Sequence, residues 1–456
     1  MGLIIFSPLP AASVHEWSIL VIQLTVIILM ICFFLIKEKP RCNERLSKTL
    51  RWPKVLFIGF WIFLFFQIIP LPKFLTKILS PGTYAFQKLH APDFSSIKFM
   101  SVSLVPSISL KTALALLSYF LIGFLIVMTI KKRSQIIRLC SVICVMGIFE
   151  AAYGLFGLYS RNLHIFSYEN KMALNYASGT FLNRNHFAGY LEMIIPITIG
   201  LIISQVGMMP FSPVIWKEKL VRLSERKIAV SILLALGVIL MSLALIFSRS
   251  RTATVLLAFI FVVFVLHAFL NLKRNGLQNK ATKIFIISIF IIILFLSFYI
   301  GRDTIFQRFA VRHFQNEGRP AIWANTLKII YDYPIFGSGL GTFAALFPIM
   351  EADGEISIIT HAHNDYLEYM SDVGAVGFFL FFGGIFFILI QCANIWKRRI
   401  HPLARALGIG GIIAIISLLL HGVTDFNLQI PSNMLLFSVI LSITLVTVTR
   451  KSAKSR

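Results

Sequence analysis

The sequence H-A-H-N-D at positions 361–365 is the clearest candidate for proton-transfer chemistry. A neutral imidazole acts as a general base once one acceptor orients it, and Asp365 or Glu368 is available for that role. A metal site is the alternative, but residues two apart face different sides of a helix, and no further ligand stands at H-x-x-x-H spacing. We predict His363 as the base, no metal, and Asn364, Asp365 and Glu368 as supporting residues. A histidine that only caps a helix is the structural alternative.

The sequence S-R-S-R-T at 248–252 places two arginines between two apolar runs with almost no loop around them. The planar guanidinium matches phosphate oxygens with two parallel hydrogen bonds, so we predict that Arg249 and Arg251 bind an anionic lipid headgroup. The alternative is that both side chains reach out to ordinary phospholipid phosphates.

Arg319 directly precedes a predicted helix that begins at Pro320. The free N–H groups and the dipole of a helix N-terminus also favour an anion. We therefore expect Arg319 and the 248–252 turn to clamp one diphosphate. A local ion pair between Arg319 and Glu317 is the alternative.

Three further motifs have polar or glycine-rich composition. The segment 178–186 enters an apolar run and adds Asn183 and His186 as supporting candidates. Glu150 and Glu192 lie inside apolar runs, where an acid costs about 2.5–3.5 kcal/mol, so each should face protein or a wet cavity. The G-x-G-x-G pattern at 337–341 follows a helical segment instead of a buried strand, which predicts a tight turn and no dinucleotide cofactor.

The composition requires a membrane. The chain has 456 residues, of which 57% are hydrophobic and 14% charged, more apolar surface than a water-soluble globule can bury. The net charge of +24 falls in short clusters between apolar runs, with no basic face for a nucleic-acid groove. We predict an all-α polytopic membrane protein that does not bind nucleic acid.

About eleven apolar runs are long enough to span a bilayer, which gives eleven or twelve spans in all. The chain divides into N-terminal spans (1–177), a transmembrane core with the short arginine turn (178–300), a large loop (301–373) and C-terminal spans (374–456). The predicted spans are Trp17–Ile36, Val55–Leu71, Thr112–Ile130, Leu139–Leu158, Phe187–Met209, Ile228–Phe247, Ala253–Leu270, Ile284–Ile300, Gly374–Ile395, Leu403–Leu420 and Pro431–Val448.

The basic residues predict the orientation of the chain. Of 43 Lys and Arg, 28 fall on the side of the loop at 37–54, which the positive-inside rule makes cytoplasmic. The large loop is then external, and helical spacing of apolar residues over 320–333 predicts a helix within it. No external loop contains a cysteine, which excludes a disulfide framework and a thiol nucleophile there.

These motifs together resemble the O-antigen ligase and polysaccharide polymerase superfamily of bacterial inner membranes. The resemblance rests on the external arginine turn, G-R-P-x-x-W at 318–323, Y-P-I-F-G-S-G-L-G-T-F at 333–343 and H-A-H-N-D-Y-L at 361–367. S-G-T-F-L-N-R-N-H-F-A-G-Y at 178–190 and D-F-N-L-Q-I-P-S-N at 425–433 also look like family segments.

The resemblance implies a metal-independent membrane glycosyltransferase without cofactors. It would take a glycan from undecaprenyl pyrophosphate on the periplasmic side and pass it to an acceptor hydroxyl. His363 would be the base and Arg249 and Arg319 the pyrophosphate ligands, with Arg251 an additional basic residue. Its partners would be the lipid-linked donor, membrane lipids, and a lipid A-core or growing glycan acceptor.

Several functions remain open at this stage. Ligation to lipid A-core, polymerisation of a lipid-linked chain and protein glycosylation share one donor chemistry, so the motifs do not separate them. A lipid-glycan transporter or flippase is the alternative from another class, suggested by Glu150 and Glu192 and by the number of spans. Such proteins usually show repeated halves, and no repeat is visible in this sequence.

Overall fold

The protein folds as an all-α polytopic membrane protein. The computed structural model describes residues 1–36, 44–160, 164–165, 168–169, 175–206, 226–272, 291, 295, 299, 318–350 and 359–450. Within these ranges, ten helices are long and apolar enough to cross a membrane.

The helices of the described residues are numbered in chain order. They are α1 (Gly2–Phe6), α2 (Glu16–Leu35), α3 (Glu44–Thr49), α4 (Arg51–Ile68), α5 (Lys73–Leu79), α6 (Pro81–His90), α7 (Pro106–Thr129), α8 (Arg133–Ser160), α9 (Arg184–Val206), α10 (Arg226–Phe247), α11 (Arg251–Leu272), α12 (Arg319–Asp332), α13 (Phe343–Met350), α14 (Asp365–Trp396), α15 (Pro402–His421) and α16 (Pro431–Thr449). Short 3₁₀ turns lie at Ala11–Ser13 and Asn427–Gln429.

Four two-residue strands complete the described structure. They are β1 (Leu71–Pro72), β2 (Phe99–Met100), β3 (His164–Ile165) and β4 (Tyr168–Glu169), and they form two antiparallel pairs, β1 with β2 and β3 with β4. The β1–β2 pair closes the segment that holds α5 and α6.

Ten of the eleven predicted spans correspond to α2, α4, α7, α8, α9, α10, α11, α14, α15 and α16. The eleventh, Ile284–Ile300, lies outside the described residues apart from positions 291, 295 and 299, each of which is helical. The prediction for α14 began at Gly374, but the helix starts at Asp365 and has 32 residues. Gly374 marks the difference, because its φ of 60° bends the helix there.

The two central helices, α9 and α15, cross at glycines. A Cβ atom at Gly410 would lie 2.4 Å from the carbonyl oxygen of Pro196, and one at Gly200 would lie 2.7 Å from that of Ala406. Lipid supplies little hydrophobic drive for helix association, so small residues that let backbones touch are the usual means of tight packing. This contact holds the C-terminal half of α9 against the N-terminal half of α15.

The described part of the large loop packs against another part of the chain. A small hydrophobic cluster joins α12 and α13 to the segment between α4 and α7, with Ile329, Tyr333 and Phe347 buried and Phe86 and Leu104 packed against them. The described part of the loop predicted at 301–373 therefore shares a core with the segment between α4 and α7.

The glycine-rich segment 337–341 is a tight turn, as predicted. All three of its glycines have positive φ, which frees the backbone to wrap around one carboxylate. Asp372 accepts hydrogen bonds from the N–H of Gly341 at 2.6 Å and of Phe343 at 3.0 Å. The turn therefore anchors the start of α13 to α14.

We expect Gly410→Ala to lower the midpoint of thermal unfolding. The new methyl group would meet the backbone of α9, and overpacking of this kind costs about 1–3 kcal/mol. Gly383→Ala in α14 is the matched control, because a Cβ there meets nothing within 4 Å and alanine favours a helix. Equal midpoints for the two variants in detergent would show that the crossing is looser than described.

Candidate functional site

The carboxylate of Asp425 is the point at which the candidate residues meet. It lies in the turn after α15 and is 1% exposed. Asn185 Nδ2 donates a hydrogen bond to its Oδ2 at 2.5 Å, and an Arg319 amino group lies 3.5 Å from the same oxygen. Its Oδ1 faces His186 Nε2 at 3.4 Å and His363 Nδ1 at 3.7 Å.

These neighbours decide the charge of Asp425. Burial alone would raise its pKa, but the contacts with His186 and His363 and the charge of His421 together hold that pKa well below the usual range of an aspartate. The carboxylate is therefore ionised throughout the neutral range, and it is a fixed negative charge next to His363.

The ring of Phe426 packs against three imidazoles. It stacks on His361 with ring centroids 4.0 Å apart, and it meets His186 and His363 edge-on at 4.4 Å and 4.9 Å. An aromatic ring restricts an imidazole without using its nitrogens. Phe426 thus positions these rings while Asp425 supplies the charge.

Glu368 holds the backbone that carries His363. Its carboxylate accepts hydrogen bonds from His361 Nδ1 at 2.8 Å and from the N–H of Ala362 at 2.9 Å. Trp323 Nε1 on α12 donates to the carbonyl of Ala362 at 3.0 Å. Burial lowers the pKa of His361, but the charge and hydrogen bond of Glu368 outweigh it and leave that pKa raised. The Glu368 carboxylate therefore orients the imidazole of His361.

Asn364 and Asp365 fix the first turn of α14. Asn364 Oδ1 caps the helix by accepting from the N–H groups of Tyr366 and Leu367 at 2.9 Å and 3.1 Å. The Asp365 carboxylate accepts from the N–H of Leu428 at 3.2 Å, and its own N–H donates to the carbonyl of Gly422. Asp365 therefore joins α14 to the turn that carries Asp425.

The acid that faces His363 is not one of the two residues predicted to orient it. The sequence offered Asp365 or Glu368, but their carboxylates hold Leu428 and His361, and Asp425 is the acid that faces His363. Asp425 is about sixty residues away in the sequence, so spacing gave no sign of it. The only signal was its place in the D-F-N-L-Q-I-P-S-N segment.

The arginine turn at 248–252 lies beside this centre. Thr252 Oγ1 shares a hydrogen bond with Thr424 Oγ1 at 2.8 Å, and Thr424 directly precedes Asp425. Arg249 has a φ of 58° and Arg251 begins α11, and both side chains are partly buried. The structure thus places the turn next to the Asp425 segment, while Glu317, the alternative partner of Arg319, lies outside the described residues.

The remaining predicted residues stabilise the helix ends around the centre. Asn183 Oδ1 accepts from the N–H of Asn185 at 2.8 Å at the start of α9. The carbonyl of His186 accepts from Asn433 Nδ2 at 3.0 Å, which joins α9 to α16. In the described residues, no group of three His, Cys, Asp or Glu side chains is arranged to hold a metal ion.

Both in-span carboxylates face protein, as expected. Glu192 is fully buried and its Oε2 lies 3.1 Å from His421 Nδ1. Glu150 is also fully buried and accepts hydrogen bonds from the N–H and the hydroxyl of Thr180, each at 2.9 Å. These acids join α15 to α9 and α8 to the segment before α9.

Residues 236–382 match the family model of the O-antigen ligase, and this segment includes Arg249, Arg319 and His363. This match supports the predicted resemblance of the chain to the O-antigen ligase and polymerase superfamily. No curated protein gives a significant match to the chain.

The O-antigen ligase segment contains only part of the observed centre. Asp425, His186 and Asn185 lie outside residues 236–382, on α9 and in the turn after α15. Packing of α9 and α15 against the ligase segment completes the arrangement. The protein is thus a multi-pass membrane enzyme of the ligase or polymerase type.

We expect Asp425→Asn to destabilise the protein by about 3 kcal/mol, near the lower end for a buried ion pair that loses one partner. The loss leaves Arg319 and His186 facing a neutral amide. Because the lowered pKa keeps Asp425 charged, the difference from the unsubstituted protein should persist as pH falls from about 7 to about 5. Thermal unfolding in detergent at several pH values measures it.

Asp332→Asn is the matched control for this variant. Asp332 lies at the exposed end of α12, the helix that begins with Arg319, so its neutralisation should change the unfolding midpoint little. An Asp425→Asn protein as stable as this control would contradict the central role of the buried carboxylate.

Proposed function

We propose that the protein is a metal-independent glycosyltransferase that moves a glycan from an undecaprenyl pyrophosphate carrier to an acceptor hydroxyl at the periplasmic face of the bacterial inner membrane. The observation that carries the proposal is the contact of Asp425 with His363 on one oxygen and Arg319 on the other. The proposed base and the arginine proposed to bind the diphosphate therefore both contact the same buried carboxylate.

His363 is suited to remove the acceptor proton. Its Nδ1 faces the ionised Asp425, an arrangement that favours the tautomer with the proton on Nδ1 and leaves Nε2 to accept another. Its side chain is 31% exposed, whereas Asp425 and His186 are buried. The imidazole is therefore open to substrate on one side and oriented from the other, as a general base must be.

The arginines are suited to the leaving group. As the acceptor oxygen bonds to the anomeric carbon, the bond from that carbon to the diphosphate breaks and the diphosphate takes the electron pair. Arg319 stands at the N-terminus of α12 and is 26% exposed, and the 248–252 turn, which contacts Thr424 through Thr252, carries two more arginines. Fixed cations at the departing oxygen stabilise the transition state.

The orientation of the site agrees with the distribution of charge. The candidate centre lies at the C-terminal end of α15, and the basic residues Arg133, Arg398 and Arg450 lie at the opposite end of the helix bundle. Since positive residues favour the cytoplasmic side, we place the centre in the periplasm.

The proposal does not specify the acceptor. Ligation to lipid A-core, polymerisation and protein glycosylation all fit this centre. Transport is less well supported. Glu150 and Glu192 suggested transport. However, Thr180 hydrogen-bonds to the Glu150 carboxylate and His421 to the Glu192 carboxylate, and both acids are fully buried. A transport site would need such groups in a cavity that substrate can enter.

We expect His363→Ala to reduce glycan transfer about 100- to 10,000-fold, the usual contribution of a general base. The assay supplies purified protein with a defined undecaprenyl pyrophosphate glycan and competing acceptors, so that it also shows which acceptor grows. A strong chelator should leave the rate of the unsubstituted protein unchanged.

His361→Ala is the matched comparison, because its imidazole lies in the same segment but its Nδ1 is held by Glu368. We expect a smaller loss of transfer in this variant, with an unfolding midpoint close to that of His363→Ala. Full transfer by His363→Ala, or a larger loss in His361→Ala, would overturn the assigned base.

Arg319→Gln should raise the donor KM about 10- to 100-fold, because a hydrogen bond to a charged group contributes about 1.5–3 kcal/mol. Arg249→Gln should act in the same direction. Lys328→Gln is the control, since Lys328 is exposed on the same helix and bonds only to Asn325 among the contacts described for it. Equal donor KM values for Arg319→Gln and Lys328→Gln would contradict the diphosphate clamp.

A further inference from the structure

A second concentration of charge lies at the end of the helix bundle opposite to Asp425. A cavity of about 410 Å³ opens there between the N-terminus of α8, the C-termini of α14 and α16 and the N-terminus of α15. Since α15 has 20 residues, this cavity is about 30 Å from the candidate active site. It is therefore a separate site.

The described lining of the cavity is rich in basic residues. Five of its eleven lining residues in the described structure are basic, and none is Asp or Glu; the five are Arg133, Arg398, Arg399, His401 and Arg450. Like charges at such distances repel one another, and the repulsion is stronger where water is partly excluded. An anion in the cavity would reduce this repulsion.

Two of the lining residues are fixed by the protein itself. Arg399 donates hydrogen bonds to the carbonyls of Val448 and Arg450 at the end of α16. His401 Nδ1 accepts from the N–H of Leu403 at 3.2 Å and caps α15. The walls of the cavity are thus built by side chains that join three helices.

Arg450 has a guanidinium nitrogen without a partner among the described residues of the protein. Nη1 of Arg450 is buried and has no hydrogen-bond partner. Burial lowers the pKa of Arg450 and the charge of Arg133 lowers it further, and burial with the charges of Arg133 and Arg399 does the same to His401. An anion among these groups would relieve the repulsion and satisfy the buried donor.

We propose that this cavity binds a ligand through its phosphate group. Several guanidinium forks around one space match the oxygens of a phosphate, and the N-terminus of α15 adds its dipole. The volume falls within the range of small-molecule sites, about 300–1,000 Å³, so it holds more than a single oxyanion. Ile400, which also lines the cavity, is 90% exposed and offers an apolar surface beside the phosphate position.

Such a ligand comes from one of two sources, the headgroup of an anionic phospholipid or a soluble phosphate compound. Either would hold the ends of α8, α14, α15 and α16 together. The opposite ends of α14 and α15 carry the segments of His363 and Asp425, so the ligand would stabilise the helices that position the active site.

The test compares Arg133→Gln/Arg398→Gln with Lys132→Gln/Lys397→Gln in the full-length protein. Both double variants lose two positive charges at the same end of the bundle, but only the first pair lines the cavity. Thermal unfolding is followed in nanodiscs of phosphatidylcholine with increasing phosphatidylglycerol, and separately in phosphatidylcholine nanodiscs with increasing inorganic pyrophosphate.

We expect at least one probe to stabilise the unsubstituted protein and the lysine control at the same half-saturating concentration. The arginine variant should need at least tenfold more of that probe. The effective probe identifies the source, lipid or soluble. Because the arginines repel one another, the arginine variant should stay folded without any probe; Arg450→Gln provides a second variant if it does not.

Two results would overturn the proposal. One is an equal response of the arginine variant and the lysine control, which would mean that general surface charge attracts the probe. The other is the absence of stabilisation of the unsubstituted protein by both phosphatidylglycerol and pyrophosphate.

Discussion

A single buried carboxylate determines the arrangement of the candidate site. Asp425 is out of contact with water, and a buried charge is stable only when other charges and hydrogen bonds surround it. Its partners Asn185, His186, Arg319 and His363 come from three separate parts of the chain. Contact with the carboxylate orients each of these side chains. The proposed base, His363, and the proposed diphosphate-binding residue, Arg319, are therefore positioned relative to each other by Asp425.

The carboxylate holds this position because the helices on either side of it cannot slide. Gly200 and Gly410 bring the backbones of α9 and α15 into direct contact, and α16 is buried along its whole length. Asn433 on α16 then bonds to the carbonyl of His186. Tight packing transmits small displacements instead of absorbing them, so a loose helix crossing would move His186 away from Asp425.

The sequence predicted what depends on local chemistry and missed what depends on distant contacts. Ten spans followed from apolar length, and α12 from helical spacing. His363, Arg249 and Arg319 were predicted because their residue types and neighbours fit proton transfer and phosphate binding. Asp425 was missed because a lone acid in a short turn has no pattern, and the acceptor for His363 was sought among its neighbours. The contact of residues 71–105 with the large loop was missed for the same reason.

The two arginine-rich regions differ in one respect that bears on their use. Arg319 already faces Asp425, so on the proposed function an incoming diphosphate would bind by exchange and leave when the carboxylate regains the arginine. That competition weakens ground-state binding more than transition-state binding, because negative charge on the diphosphate grows only as its bond to the sugar breaks. No acid stands among the described residues that line the cavity of Arg133 and Arg450, so none of these residues competes with an anion for the arginines. The first arrangement suits turnover and the second suits a ligand that stays.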